Sequence, residues 1–239
     1  MKTVLWAGLI GGLLVILGIY GYERYIVPLQ GNEMTITKDN AKSLAVKVEF
    51  GAGILSINGG ANDWMEANFD YKNKKNAPKV TSNVKKGTHF ITVEQKPKVL
   101  SFNRSKLEST WNMQFNNDIP IDLDVDMGVS EAKLNLKGLQ LNKLNIESGV
   151  SDSTIDMSGE WKNSFSANLT IGVGDMTILL PEQTGVKLKV TAGLGQADMK
   201  GFTSLGNGVY VNEMYENADV KIDMKVDVGI GNLTLKLVE

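Results

Sequence analysis

The chain has 239 residues, 42% hydrophobic and 22% charged, a balance typical of folded protein rather than disordered polymer. It contains no Cys and a single His, His89, which removes disulfides, thiolate chemistry, Cys-zinc sites and any multi-His metal centre. The net charge of −2 gives no reason to expect nucleic acid as a partner, and 25 Gly against 5 Pro point to repeated tight turns.

The first element is an uncharged run, Thr3 to Tyr22. As a helix it would span about 30 Å, the thickness of a bilayer core. Trp6 near one end and Tyr20, Tyr22 and Tyr25 near the other resemble interfacial anchors. The reading is a signal-anchor helix over residues 1–25. Cleavage and secretion are the alternative, but the candidate sites near Gly18 to Gly21 put Ile or Tyr where a signal peptidase needs small residues at −3 and −1. Lys2 and the α-amino group precede the run, while Glu23 and Arg24 cancel behind it. The positive-inside rule then leaves the remainder outside the membrane, as a single-pass protein. Gly8 and Gly12 have the spacing of a helix-pairing motif, which a Gly-rich apolar helix also shows by chance.

Residues 26–41 read as a linker, with Pro28, Gly31 and Asn32. From Leu44 onward apolar and polar residues alternate, the period-two mark of half-buried strands, and no convincing amphipathic helix follows. Six segments share a strand, a Gly-x-Gly or Gly-x-Ser corner and a second strand. Their corners are Gly51-Ala-Gly53, Gly128-Val-Ser130, Gly149-Val-Ser151, Gly172-Val-Gly174, Gly193-Leu-Gly195 and Gly229-Ile-Gly231. Three nearly equal intervals in the middle imply a repeating unit with insertions at both ends. A two-strand rung cannot bury its apolar face alone, so stacking predicts an all-β, single-stranded, right-handed β-helix or solenoid over 42–239. A β-sandwich is the competing architecture. In this reading the residue between the glycines (Val129, Val150, Val173, Leu194, Ile230) plugs the core.

Three stretches carry a resemblance: Phe50–Gly60 (FGAGILSINGG), Gly172–Pro181 (GVGDMTILLP) and the closing VGIGNLTLKL. They look like the bacterial toast-rack proteins, related to the C-terminal domain of LiaF-type cell-envelope stress regulators. Ala67–Val80 is similar to the strand pair that opens toast-rack domains. The resemblance covers nearly all of 42–239. It implies a solenoid-like fold, no enzymatic activity, and a link to envelope stress in the bacterial cell membrane. LiaF-type regulators have several membrane helices, whereas this chain offers one, so a kinase-partner role does not follow. The shared positions are structural, and no functional residue carries over.

Polar clusters remain. Asp122, Asp124 and Asp126 share one strand face, as a calcium or carbohydrate site would need and as any solvated strand face provides. Gly172-Val-Gly-Asp175 lacks the nine-residue period of the calcium-binding repeat. His89 has no nucleophile or second base beside it in sequence and reads as a surface or structural residue. Trp64, Trp111 and Trp161 are either sugar-stacking platforms or buried aromatics. Residues 72–106 hold ten basic side chains against Glu94, whereas 107–239 hold ten basic against nineteen acidic. This basic insertion suggests contact with an anionic lipid or cell-wall polymer through Lys72, Lys74, Lys75, Lys85 and Lys86. No cofactor is expected. The favoured function is a non-enzymatic scaffold or regulatory module with a protein partner in the envelope. An adhesin or polysaccharide-binding solenoid comes second, and a polysaccharide-active enzyme third.

Overall fold

The computed structural model describes residues 25–29, 32–71, 76–95 and 109–239. Its strands are β1 (Tyr25–Val27), β2 (Glu33–Ile36), β3 (Ser43–Gly59), β4 (Met65–Tyr71), β5 (Lys79–Lys85), β6 (Thr88–Glu94), β7 (Ser109–Phe115) and β8 (Pro120–Asn135). They continue with β9 (Gln140–Asp156), β10 (Phe165–Val173), β11 (Met176–Pro181), β12 (Gly185–Leu194) and β13 (Ala197–Asp198). The last four are β14 (Thr203–Gly206), β15 (Val209–Val211), β16 (Lys221–Ile230) and β17 (Leu233–Val238). The alternating sequence becomes alternating burial. In β3, Leu44, Val46, Val48 and Phe50 face inward and the residues between them outward.

The unit is a coil of two strands bent at a glycine corner. Strand β8 lies parallel on β3, from Leu44 opposite Ile121 to Asn58 opposite Asn135. Strand β9 lies on β8, then β10 and β11 on β9. Strands β16 and β17 follow on β10 and β11, with β12 and β13 outermost. On the other side of β3, its two halves pair with β6 and β7. The architecture is therefore a parallel solenoid rather than a sandwich. Chain order and stacking order part company at each end. The β6–β7 coil follows β3 in sequence but sits outside it, and the final β16–β17 coil is inserted beneath β12–β13.

Register makes the core. Val46, Leu123, Leu144, Ala167, Met224 and Leu188 stand in one buried column across six coils. Ile57, Leu134, Ile155, Ile178 and Leu235 form another on the second face. Near the β6–β7 end, Trp111 packs edge-on against Phe50 and Phe69, with ring centroids 4.9 and 5.2 Å away.

Antiparallel strands cover edges that stacking would leave open. Strand β5 pairs with β6 and carries β1, while β4 pairs with β7 and carries β2. At the far end β15 pairs with β12 and carries β14. These caps revise several expectations. The stretch read as linker contributes β1 and β2. The basic insertion contains β5 and β6, so part of it is built into the sheet. The strand pair looked for in Ala67–Val80 is divided, since β4 and β5 lie against different halves of the β6–β7 coil. Among the described residues no helix is long and apolar enough to cross a membrane, and the predicted anchor at Thr3–Tyr22 lies outside them.

Candidate interaction surface

The glycine corners stack directly. Along the stack the first glycines run Gly51, Gly128, Gly149, Gly172, Gly229, Gly193. They have ordinary φ, but the neighbouring coil comes too close for a side chain. A Cβ on Gly149 would stand 2.9 Å from the Gly128 carbonyl oxygen, and one on Gly172 2.7 Å from that of Gly149. Gly51, at the end of the column, faces the Gln95 side chain instead. The second column, Gly53, Gly174, Gly231 and Gly195, has φ from 129° to 146°, where a side chain is strained whatever the space.

Where Ser130 and Ser151 replace the second glycine, φ is ordinary and the strands run unbroken through the corner. Their hydroxyls lie 3.0 Å apart, and Ser151 meets Ser153 at 2.7 Å. At Gly174, Gly195 and Gly231 the ladder breaks after the second glycine, whereas β3 runs on through Gly53, and at the three breaks the next residue's N–H finds a side chain one coil away. The Asp175 N–H donates to Asp152 at 3.4 Å, Asn232 to Asp175 at 2.8 Å and Gln196 to Asn232 at 3.3 Å. This is why Asp and Asn follow those corners; they replace lost backbone acceptors.

The residue between the glycines does not plug the core. Val129, Val150, Val173, Ile230 and Leu194 are 42–71% exposed. Because the backbone turns outward at the corner, the odd position of each corner faces solvent. With Ala52 these residues form one aliphatic ridge, each directly over the next. Beside the ridge, four glycines of the first column, Gly51, Gly128, Gly149 and Gly172, floor a groove of about 720 Å³, walled by Glu49, Asp126 and Glu147 and closed at one end by Gln95. Gln95 accepts hydrogen bonds there from the Gly51 and Ala52 N–H groups, at 2.7 and 3.1 Å. Lys47 lies 2.8 Å from Glu49 and 3.2 Å from Asp126. Burial works against the Lys47 charge, yet Glu49 and Asp126 together hold its pKa above the ordinary value. Burial pushes the Asp126 carboxyl up, Asp124 adds to the effect, and Lys47 opposes it.

The other predicted positions separate. Asp122, Asp124 and Asp126 lie on the outer face of β8 with Lys143, Asn145 and Lys47 as partners. Among the described residues no group of three acids or histidines could hold a metal ion. Trp64, Trp111 and Trp161 are all buried and present no sugar-stacking platform. Lys86, at φ 50°, and Gly87, at φ 82°, form the two-residue turn joining β5 to β6, with Lys85 just before it. Lys72, Lys74 and Lys75 lie outside the described residues.

His89 is buried, and the fold supplies the partners the sequence hid. Its Nε2 lies 2.6 Å from Ser82 Oγ and its Nδ1 2.8 Å from Asp39 Oδ2. Asp39 also accepts from the Trp64 indole at 3.0 Å and the Ala41 N–H at 2.8 Å. Burial alone would raise the Asp39 pKa, but these donors and His89 bring it below the usual value. A carboxylate only accepts, so the network assigns the His89 proton to Nδ1 and leaves Nε2 to accept from Ser82. The distances match a nucleophile–base–acid relay, but the setting differs. Ser82 sits mid-strand with β1 on one side and β6 on the other, and Asp39 is the more exposed end. The relay braces the 37–42 segment against β5 and β6.

Parallel coils stacked through a shared glycine corner, with antiparallel caps and their most differentiated surface along that corner, define a β-solenoid domain. The chain belongs to the toast-rack family: residues 26–179 match the N-terminal domain of toast_rack, DUF2154. A crystal structure of a candidate cell adhesion protein from Clostridium sporogenes ATCC 15579 is similar at 27% identity and a TM-score of 0.82, over 90% of this chain and 100% of that one. A candidate adhesin from Bacteroides fragilis NCTC 9343 aligns over 90% of this chain and 98% of its own at 11% identity and a TM-score of 0.31. No curated protein matches the chain.

Proposed function

We propose that this protein is a non-enzymatic binding scaffold of the bacterial cell envelope, held by its N-terminal segment with the solenoid outside the cytoplasmic membrane, and acting through protein contacts in the response to envelope stress. The observation that carries the reading is the unbroken aliphatic ridge and groove along the corner. A soluble domain that needed only to fold would gain nothing by exposing five stacked branched side chains. The placement of β1 fits the tether. It lies on β5, so the chain enters at the same edge as the Lys85–Lys86 turn, where a basic surface would meet anionic lipid headgroups or wall polymer.

The second reading, an adhesin or wall-polysaccharide binder, is favoured by the likeness to the C. sporogenes protein across that protein's whole length. Co-purification of the full chain from detergent-solubilised membranes separates the two. The scaffold reading expects a defined envelope protein in stoichiometric amount. Recovery of wall polysaccharide alone would favour the adhesin. Binding to anionic liposomes or wall fragments should weaken with salt, and it should fall when Lys74, Lys75, Lys85 and Lys86 are reversed to Glu. Unchanged binding would dismiss the basic contact.

A further inference from the structure

We propose that the corner groove and ridge bind an extended, cationic polypeptide segment whose alternate side chains are apolar. This rests on the binding-scaffold reading and names the chemistry of the partner. Two features of the surface select it. The ridge of Val129, Val150, Val173, Ile230 and Leu194 offers apolar contact that no described residue covers. Acids flank it on both sides: Glu49, Asp126 and Glu147 in the groove wall, and Glu131, Asp152 and Asp175 just after Ser130, Ser151 and Gly174. Against these six, two lysines are paired into the surface, Lys47 to Glu49 and Asp126 and Lys133 to Glu131.

The dimensions suit an extended chain. Six stacked corners at about 4.8 Å per coil span about 24 Å, the length of roughly seven extended residues. Side chains on one face of such a strand recur every ~6.8 Å, so two of these repeats match about three rungs. Apolar residues can settle between ridge side chains while the intervening Lys or Arg reach the acid wall. The glycine floor lets the ligand backbone approach closely. A second copy of this chain would bring like charges together, and an anionic membrane would be repelled by the same acids, so neither fits this face.

The test uses the full chain in phosphatidylcholine nanodiscs and a fluorescein-labelled acetyl-(Lys-Val)4-amide, read by anisotropy. This peptide should bind, with affinity falling as salt rises, while (Lys-Ser)4 and (Glu-Val)4 should not. The pair Val150→Ser with Val173→Ser should weaken binding on the order of tenfold or more. The pair Asp126→Asn with Glu147→Gln should do the same, and Asp223→Asn should leave it unchanged. Exposed ridge positions leave the melting curve in place, so lost binding is not lost folding. Equal affinity for (Lys-Ser)4, indifference to both double variants, or a dimer that the ridge variants dissociate would overturn the proposal. Capture of an envelope partner that survives in the ridge variants would also overturn it, while leaving the scaffold reading intact.

Discussion

Gly174→Ala and Leu194→Ala together test the corner geometry. Gly174 sits at φ 129°, and a Cβ there would be driven into the Ser151 carbonyl of the coil beneath. The backbone strain costs about 1–3 kcal/mol, and forcing an atom into filled space adds about 1–3 kcal/mol. A total near 4 kcal/mol in a domain of this size lowers Tm by about 8–16 °C. Leu194 occupies the middle position of the outermost corner, two coils from Gly174, and is 71% exposed. As a core plug its truncation would cost about 2–5 kcal/mol; on the ridge it costs within about 0.5 kcal/mol. Urea titration and thermal melts followed by circular dichroism at 218 nm (a standard strand band) measure both. The m-value also reports whether the outer coils detach separately, as stacked repeats permit. If Leu194→Ala destabilised more than Gly174→Ala, or if Gly174→Ala melted with the parent, the stacked-corner account would be wrong.

Trp111→Ala removes the ring that joins Phe50 to Phe69 in the core and should cost about 3–5 kcal/mol in urea titrations. Ser82→Ala leaves the buried His89 Nε2 without its partner and should cost about 1–3 kcal/mol; the parent should resist fluorophosphonate labelling, and a labelled Ser82 would contradict the bracing role. Asp156 is burdened by burial, but the Ser158 hydroxyl and N–H and Lys137 hold its pKa below the ordinary value. A depressed native pKa means that the unfolded chain takes up the proton first, so the stabilisation is present above about pH 4 and disappears as pH falls through the folded-state value. Asp156→Asn should therefore be less stable than the parent at pH 7 and indistinguishable from it well below the folded-state pKa, in parallel urea titrations.

Much of the fold was written locally. The six corners carried the repeat, and the alternation in Leu44–Phe50 and Val220–Val226 carried the strands. What alternation cannot encode is which strand lies beside which. Every coil presents a similar apolar column, so β16–β17 fits equally well against β10–β11 in one-dimensional terms, and only the 199–220 insertion provides the chain length to place it there. The caps were hidden for a related reason. Strand β2 is four residues long and β1 three, too short to show a period, and they are strands because the outer edges of β4 and β5 needed pairing.

The surface was less legible than the core. The apolar character of Val129, Val150, Val173, Ile230 and Leu194 argued for burial, and period-two counting alone would place them inside. A corner resets that count, since the turn directs the middle residue away from both strands. The signal that could have exposed them is the column after the second glycine: Asp175 and Asn232 recur there because an interrupted ladder needs acceptors outside the core. Likewise Asp39, Ser82 and His89 lie apart along the chain, and nothing in spacing predicts that they meet.

Sequence by itself determined the period, the strand faces and the need for glycine at the corners, because these depend on neighbours a few residues away and on the steric demands of a backbone approaching its copy. Tertiary structure decided the order of the coils, the capping of the edges and the outward direction of the ridge, because those follow from where hydrogen-bonding edges and free space are left once the coils have stacked.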